Sequence, residues 1–402
     1  MLMTINGVWS KSEINRASYL RLWLIASLVV PIVLDFIFFG SRAARYSRVI
    51  LFCVVSVSLL VNSKYFLTGK FVGVDTIFFT ILLFLVGTIA GFIHGGVITP
   101  NFATLLLFMI IAGLNFDLYE EVLKAIAFSC HLLISLSILV IILKINPRDF
   151  YFSAVGYPVY FNFLGIPGRN YGVFSHPNVL GQVATLSALF LLAFRNNRVL
   201  LFAPLLCILK CGSRTSIICL VTGVVLFVII SMKKSKYGSK IRKVESPLVI
   251  GTFLLGIFVA SSFQFLTIIN LLDPNSLTGR VSIWQASYTI YKSNPTIGSG
   301  WGWESRAIDS QILNIWSATA HNMIIEILLS TGIFGLILFF GILIKWVIYF
   351  NRLWLVEKMI LTSIVISGIS EAYIDLSYPT ITTFLFFLIA LGANIERQSH
   401  DV

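Results

Sequence analysis

Charge is scarce in this chain of 402 residues: Asp, Glu, Lys and Arg make up 11% of it against 57% apolar residues, and the mean hydropathy is +0.92. Soluble domains carry about twice that charged fraction, so a soluble globule is excluded and a polytopic membrane protein is indicated. The apolar segments lack the two-residue alternation of lipid-facing barrel strands, which excludes an outer-membrane barrel. Cysteine is sparse and odd in number. Cys53, Cys130, Cys207, Cys211 and Cys219 all lie in or at the ends of apolar runs and read as packing residues, not as a disulfide framework. No external Asp-x-Asp pair and no His/Cys cluster with ligand spacing occurs, so no metal and no cofactor is expected. The glycine-rich stretch from Pro295 to Gly302 is not followed by Gly-Lys-Ser or Gly-Lys-Thr, so it is no phosphate loop of the nucleotide-binding kind.

What fills the chain instead is helix-length apolar sequence. Spans fall at roughly 20–39, 46–62, 73–93, 101–115, 121–143, 178–194, 198–212, 214–232, 247–271, 322–345, 354–370 and 377–394. The fold expected is therefore an all-α polytopic membrane protein of about twelve transmembrane helices. The first run follows Arg16 and Arg21 and reads as an uncleaved anchor. No soluble domain, low-complexity tract or repeat interrupts the chain, so residues 1–402 are expected to form one integral-membrane domain.

Basic residues set the orientation, because Lys and Arg near span ends are retained in the cytoplasm. The run KKSKYGSKIRK at 233–243 fixes that loop inside; alternating the spans around it puts 18 of the 29 Lys and Arg inside, 11 outside, and both termini in the cytoplasm. Arg42, Arg45 and Arg48 run against the rule. The net charge of +12 then serves mostly to anchor the inner face on anionic lipid, and no nucleic-acid partner follows from it.

Two external loops, 144–177 and 272–321, are far longer than a helix reversal needs, and long loops usually carry function. The first contains GIPGRNYGVFSHPNVLG, in which Ser175 can cap the helix that Pro177 begins, leaving Arg169 and His176 unexplained by capping. In the second, Arg280, Trp284 and Tyr288 recur at four-residue spacing and predict a short helix with its aromatic face in the membrane interface. Between the loops, Gly212, Ser213 and Arg214 stand at the outer start of a span, where free backbone N–H groups and the helix dipole can hold a phosphate. After the second loop, His321 and Asn322 are followed by nine residues and then by Gly332 and Gly335. An imidazole at the mouth of a membrane helix points to function, and the small residues three apart let a neighbouring backbone come close; a polar cap with a packing glycine pair is the bland alternative.

Taken in order, these pieces resemble a known family. Arg169 with His176-Pro177-Asn178, the Ser213-Arg214 pair, Arg280 and Trp284 before a Pro-x-x-Gly-x-Gly turn, and His-Asn-x9-Gly-x-x-Gly are similar to the pattern of the O-antigen ligase and polysaccharide polymerase superfamily, over roughly 150–345. The resemblance implies an integral-membrane glycosyltransferase on the external face of the bacterial inner membrane. Its donor is a glycan on undecaprenyl diphosphate, its acceptor a glycan or lipid hydroxyl, and its partners include a chain-length regulator and a flippase. It also implies that Arg214 and Arg280, with Arg169 and Ser213, engage the diphosphate, and that His321 is the base. One departure is that no glycine stands eleven residues after Arg169 or Arg280, a pattern found in some polymerases.

The chemistry suits these residue types. Guanidinium answers a departing diphosphate with bidentate, charge-assisted hydrogen bonds and never loses its proton, so arginines can stand where other enzymes use a metal. Histidine is the side chain whose ordinary pKa suits removal of a hydroxyl proton near neutrality. Glu326, one turn into the helix, and Glu371 or Asp375 in the last external connection are candidates to orient His321 or pair with an arginine. The expected function is polymerisation of lipid-linked repeat units; the alternatives are ligation of the glycan to a lipid A core and, in another class, a flippase or secondary transporter. Asp35 and Asp75 within spans are the residues that would favour transport.

Overall fold

The computed structural model describes residues 11–37, 74–94, 109–110, 118–143, 170–174, 176–194, 198–233, 280–301, 303, 320–370 and 381–392. Every regular element among them is helical: α1 (Lys11–Ile37), α2 (Val74–Ile93), α3 (Tyr119–Ile142), α4 (Pro177–Ala193), α5 (Phe202–Cys211), α6 (Arg214–Lys233), α7 (Arg280–Ser293), α8 (Met323–Tyr349), α9 (Leu355–Ser370) and α10 (Ile381–Gly392). Short 3-10 turns, Arg198–Leu201 and Phe350–Arg352, lead into α5 and towards α9. Among the described residues four segments are long and apolar enough to cross a bilayer: Arg16–Leu34, Val74–Ile93, Tyr119–Ile142 and Met323–Tyr349. Shorter apolar helices cover Pro177–Ala193, Val199–Cys211, Thr215–Ile230 and Ile381–Leu391. The expected spans 46–62 and 247–271, most of 101–115, and the 233–243 loop beyond Lys233 lie outside the described residues.

Many hydroxyls in these apolar helices give their protons to the backbone. Thr80 donates to the Thr76 carbonyl at 2.7 Å, Ser129 to Ala125 at 2.9 Å, Thr185 to Gly181 at 2.9 Å, and Thr331 to Ile327 at 2.6 Å. Each bond runs to the residue four positions back, so these buried hydroxyls are satisfied within their own helix.

The described residues belong to two compact units. The first comprises Met1–Val72, Ile111–Ser187 and Phe202–Gly212. Here α1 packs on α3, with Arg21 paired to the Glu121 carboxylate, and α3 packs on α5. The segment 170–174 lies against α3: Gly172, at a φ of +54°, passes Ser137 too closely to admit a side chain, and Val173 N–H donates to Ser137 Oγ at 3.3 Å. His131 Nδ1 and Ser187 Oγ meet at 2.5 Å in the same unit.

The second unit comprises Gly73–Ile110, Ala188–Leu201 and Ser213–Val402. Its largest helix pairings are α8 on α2 and α6 on α9. α8 presents Ile333, Ile337, Phe340, Ile344 and Ile348 outward at helical spacing and buries Gly335, Phe339, Ile342 and Trp346 on the other side, the division expected of a helix with one face to lipid. Lys345, near the end of α8, reaches back to the start of α2, with its ammonium 2.7 Å from Asp75 Oδ2 and donating to Thr76 Oγ1 at 2.6 Å. The two helices therefore run antiparallel. Phe386 of α10 stacks on Phe339 with centroids 5.4 Å apart and meets Trp346 edge-on at 4.1 Å.

α8 is not continuous. At Gly332 the backbone leaves the helical region altogether, with φ +63° and ψ −164°, a conformation open essentially to glycine alone. Gly332 had been expected inside a regular span, as a small residue letting a neighbouring backbone come close; the close approach is real and the neighbour is a turn, but the span is broken there. Residues 295–300 dock into the break. Ser299 and Gly300 N–H groups donate to the Leu329 and Ser330 carbonyls at 2.7 and 2.9 Å, while Ile333 and Phe334 N–H groups donate to the Pro295 and Thr296 carbonyls at 3.0 and 3.2 Å. The turn thus satisfies the backbone groups that the broken helix frees, about 14 Å along the axis from its start. Trp301 completes the seat on α2, donating from Nε1 to the Phe84 carbonyl at 3.1 Å and stacking on the Phe84 ring.

Candidate active site

The three residues on which the chemistry was expected to rest each sit at the opening of a helix in the second unit. Arg214 is the first residue of α6, Arg280 is the first of α7, and His321 stands two residues before α8. Their neighbours explain why helices begin there. Ser213 is buried and caps α6: its Oγ accepts the Ser216 N–H at 3.3 Å and the Ser216 hydroxyl at 2.9 Å. Ser213 was expected to help hold a phosphate through its hydroxyl proton, a role that its acceptor bonds to the helix start do not engage. Gly212 precedes it at a φ of +61°. Asn322 caps α8, its Oδ1 accepting the Ile324 and Ile325 N–H groups at 2.9 and 3.1 Å. Such caps are worth about 1 kcal/mol each.

His321 is half-buried and holds a φ of 49°, the one left-handed non-glycine residue among those described. That conformation costs an L-residue about 1–2 kcal/mol and persists only where the surroundings enforce it. The enforcement is visible at the preceding residue. Trp284, in the second turn of α7, donates its indole N–H to the Ala320 carbonyl at 3.0 Å. Glu326, in the first turn of α8, accepts the Ala320 N–H on Oε2 at 3.0 Å and the Trp303 indole N–H on Oε1 at 2.8 Å. Ile283, Trp303, Ala320 and Leu329 form the apolar packing around these bonds, with Trp284, Ile290 and Tyr291 against it. Beyond His321 the chain is fixed again, since the Asn322 carbonyl accepts the Glu326 N–H at 2.9 Å.

Several expectations change in this light. Trp284 had been read as an interfacial anchor alongside Tyr288; Tyr288 is exposed, whereas Trp284 packs inward and bonds to Ala320. The reason is geometric: residues four apart share a helix face only approximately, and the buried stripe of α7 runs through Ile283, Trp284 and Ser287. Glu326 was a candidate to orient His321 or to pair with an arginine; its two oxygens accept the Trp303 indole N–H and the Ala320 N–H. Capping of α4 was assigned to Ser175, which lies outside the described residues. The structure gives this role to His176, whose carbonyl accepts the Val179 N–H at 3.1 Å and whose Nδ1 accepts the Asn178 N–H at 3.2 Å. Asn178 is buried in that first turn, in the first unit.

Arg169, Glu371 and Asp375 lie outside the described residues, and the side chains of Arg214 and Arg280 are likewise not described. Their backbones are informative nonetheless. Arg280 stands one helical turn before Trp284, about 6 Å along the axis, so the bond from Trp284 to Ala320 ties the opening of α7 to the residue beside His321. Among the described residues no group of three or more His, Cys, Asp or Glu is arranged to hold a metal. Asp75, a candidate for an ion path, is engaged by Lys345. Trp303 was not singled out from the sequence. The signal was there, as two tryptophans in a glycine-rich stretch of an external loop, a place where large apolar rings need something to bury them.

No curated protein and no solved structure matches the chain. Residues 199–340, about a third of the chain, match the family model Wzy_C, described as O-antigen ligase, and the matched segment holds Ser213, Arg214, Arg280, Trp284, His321 and Glu326. The chain thus combines several membrane-length helices with a segment, residues 199–340, that is similar to the O-antigen ligase family.

Proposed function

We propose that this protein is a glycosyltransferase of the bacterial inner membrane that polymerises undecaprenyl diphosphate-linked repeat units into O-antigen, capsule or exopolysaccharide, without a metal. The observation that carries this reading is the coincidence within the matched segment of three helix openings bearing Arg214, Arg280 and His321. A helix start offers unpaired N–H groups and the positive end of a dipole, so the two arginines stand where an anionic diphosphate is best received.

The step is a substitution at the anomeric carbon. The acceptor hydroxyl gives its proton to the His321 imidazole as its oxygen bonds to that carbon; the bond from the carbon to the diphosphate oxygen breaks, and the electron pair leaves with undecaprenyl diphosphate. Arg214 and Arg280 answer the charge gathering on that leaving group. Transfer to a lipid A core is the second reading, favoured by the description of the matching family as O-antigen ligase.

The test is glycan transfer by purified His321→Ala and His321→Gln, using lipid extract from cells lacking this chain as the source of donor and acceptor. Removal of a general base costs about 10²–10⁴ in rate, so both variants are expected to lose nearly all turnover while keeping their melting temperature and donor affinity. Near-normal turnover in either folded variant would sink the assignment of the base.

A further inference from the structure

The two side chains that grip Ala320, and the Trp303 indole that holds one of them, do more than pack. We propose that Trp284, Glu326 and Trp303 are positioning residues that set where the His321 imidazole points, by clamping both polar groups of Ala320 and leaving His321 no conformation but the left-handed one. This inference rests on the reading of His321 as the base and adds to it the device that aims it.

The constraint on His321 lies in the peptide plane that precedes it. The Ala320 carbonyl belongs to the peptide that enters His321, so its bond to the Trp284 indole, 3.0 Å long, fixes the plane from which φ of His321 is measured. The Ala320 N–H is held at 3.0 Å by Glu326, whose other oxygen is locked by Trp303 at 2.8 Å. On the far side, Asn322 is extended at φ −157° and ψ 123°, and its carbonyl is the first acceptor of α8. His321 therefore joins two fixed points across a single residue at φ 49°. Histidine visits this region several times more readily than most residues but does not prefer it, so the flanking bonds must hold it there. Two of the three residues are indoles, which donate one N–H and accept nothing, and the third is a buried carboxyl group that, among the described residues, accepts the Ala320 N–H and the Trp303 indole N–H. Such a clamp has no slack: removing one donor leaves a buried oxygen short of a partner and frees the peptide to rotate. Because Trp284 also lies one turn from Arg280, the same bond couples the aim of the base to the start of the helix that receives the leaving group.

The experiment is a double-mutant cycle on the purified full-length protein, with lipid extract from cells lacking the chain as donor and acceptor. Trp284→Phe keeps the ring and removes only the N–H. It is expected to lower kcat by roughly ten- to hundredfold, the cost of a misdirected catalytic group, with donor KM and melting temperature close to the parent. In the His321→Ala background the same change should cost nothing further, since there is no base left to aim. Trp303→Phe, measured in the same way, decides the matter if Trp284→Phe does not fold. A wild-type rate in a folded Trp284→Phe protein, or a loss that multiplies through the His321→Ala background, overturns the clamp. The two readings fail separately: activity surviving His321→Ala removes the base, whereas collapse in His321→Ala beside normal turnover in Trp284→Phe removes only the positioning.

Discussion

Gly298 and Gly332 meet backbone to backbone: a side-chain carbon on either would stand 2.5 Å from the amide nitrogen of the other. Both have positive φ, +75° and +63°. Alanine at either position is therefore expected to destabilise by about 2–4 kcal/mol through backbone strain and overpacking together. Gly341 is the internal control, since an added methyl there would touch only a Phe79 ring carbon at 3.9 Å; Gly341→Ala should be neutral or slightly stabilising. Thermal unfolding in detergent or nanodiscs separates the cases. Parental melting temperatures for Gly298→Ala and Gly332→Ala would mean that the turn is not seated in the helix break.

Asn322 gives a stability prediction of another kind. Its side chain holds the N–H groups of Ile324 and Ile325 in the first turn of α8. Asn322→Ala should cost about 1 kcal/mol, and Asn322→Asp or Asn322→Ser should recover most of it because either side chain also caps. Equal melting temperatures for all of these variants would show that the cap carries no weight.

These two positions also mark what could be read in advance. The helix beginning at His321-Asn322 was legible because a cap precedes an apolar run, and the helix carrying Trp284 was legible from its spacing. The break at Gly332 was not: glycine three before another glycine reads equally as a packing pair in an unbroken helix, and only the turn that fills the gap decides between them. Glu326 and His176 show the same limit. A carboxylate one turn from a histidine suggests a pair, yet what Glu326 meets is a backbone N–H and a tryptophan from distant sequence, which no local pattern encodes. His176 was left unexplained by capping because the cap was read at Ser175; which of two adjacent residues caps depends on where the helix starts, by one residue.

The orientation expected from the basic residues can be checked directly. With 18 of 29 Lys and Arg assigned inside, and six of them in the run at 233–243, a cysteine placed near 238 should be protected from an impermeant thiol reagent in intact cells. Cysteines near 160 and 305 should react, in spheroplasts where an outer membrane blocks the reagent. The antiparallel pairing of α2 and α8 adds a constraint, because the Asp75–Lys345 end must then share the side of 238, opposite His321. Labelling of 238 from outside would invert the protein and put His321 in the cytoplasm.

The arginines offer the sharpest separation of chemistry from anchoring. A residue that merely snorkels to headgroups needs only positive charge and reach, both of which lysine supplies. One that grips a diphosphate needs the planar fork of donors, which lysine lacks. Arg214 and Arg280 each open a helix, so lysine there keeps the charge beside the N–H groups of α6 and α7 and leaves the helix starts otherwise unaltered. Arg214→Lys and Arg280→Lys should therefore fold and insert normally yet transfer glycan at least about tenfold more slowly, corresponding to the loss of roughly 1.4 kcal/mol of leaving-group stabilisation. The defect should lie in turnover more than in donor KM if the grip tightens as charge develops on the leaving group. Full polymer formation by both well-expressed variants would reduce the arginines to interfacial anchors and leave His321 to carry the reaction without them.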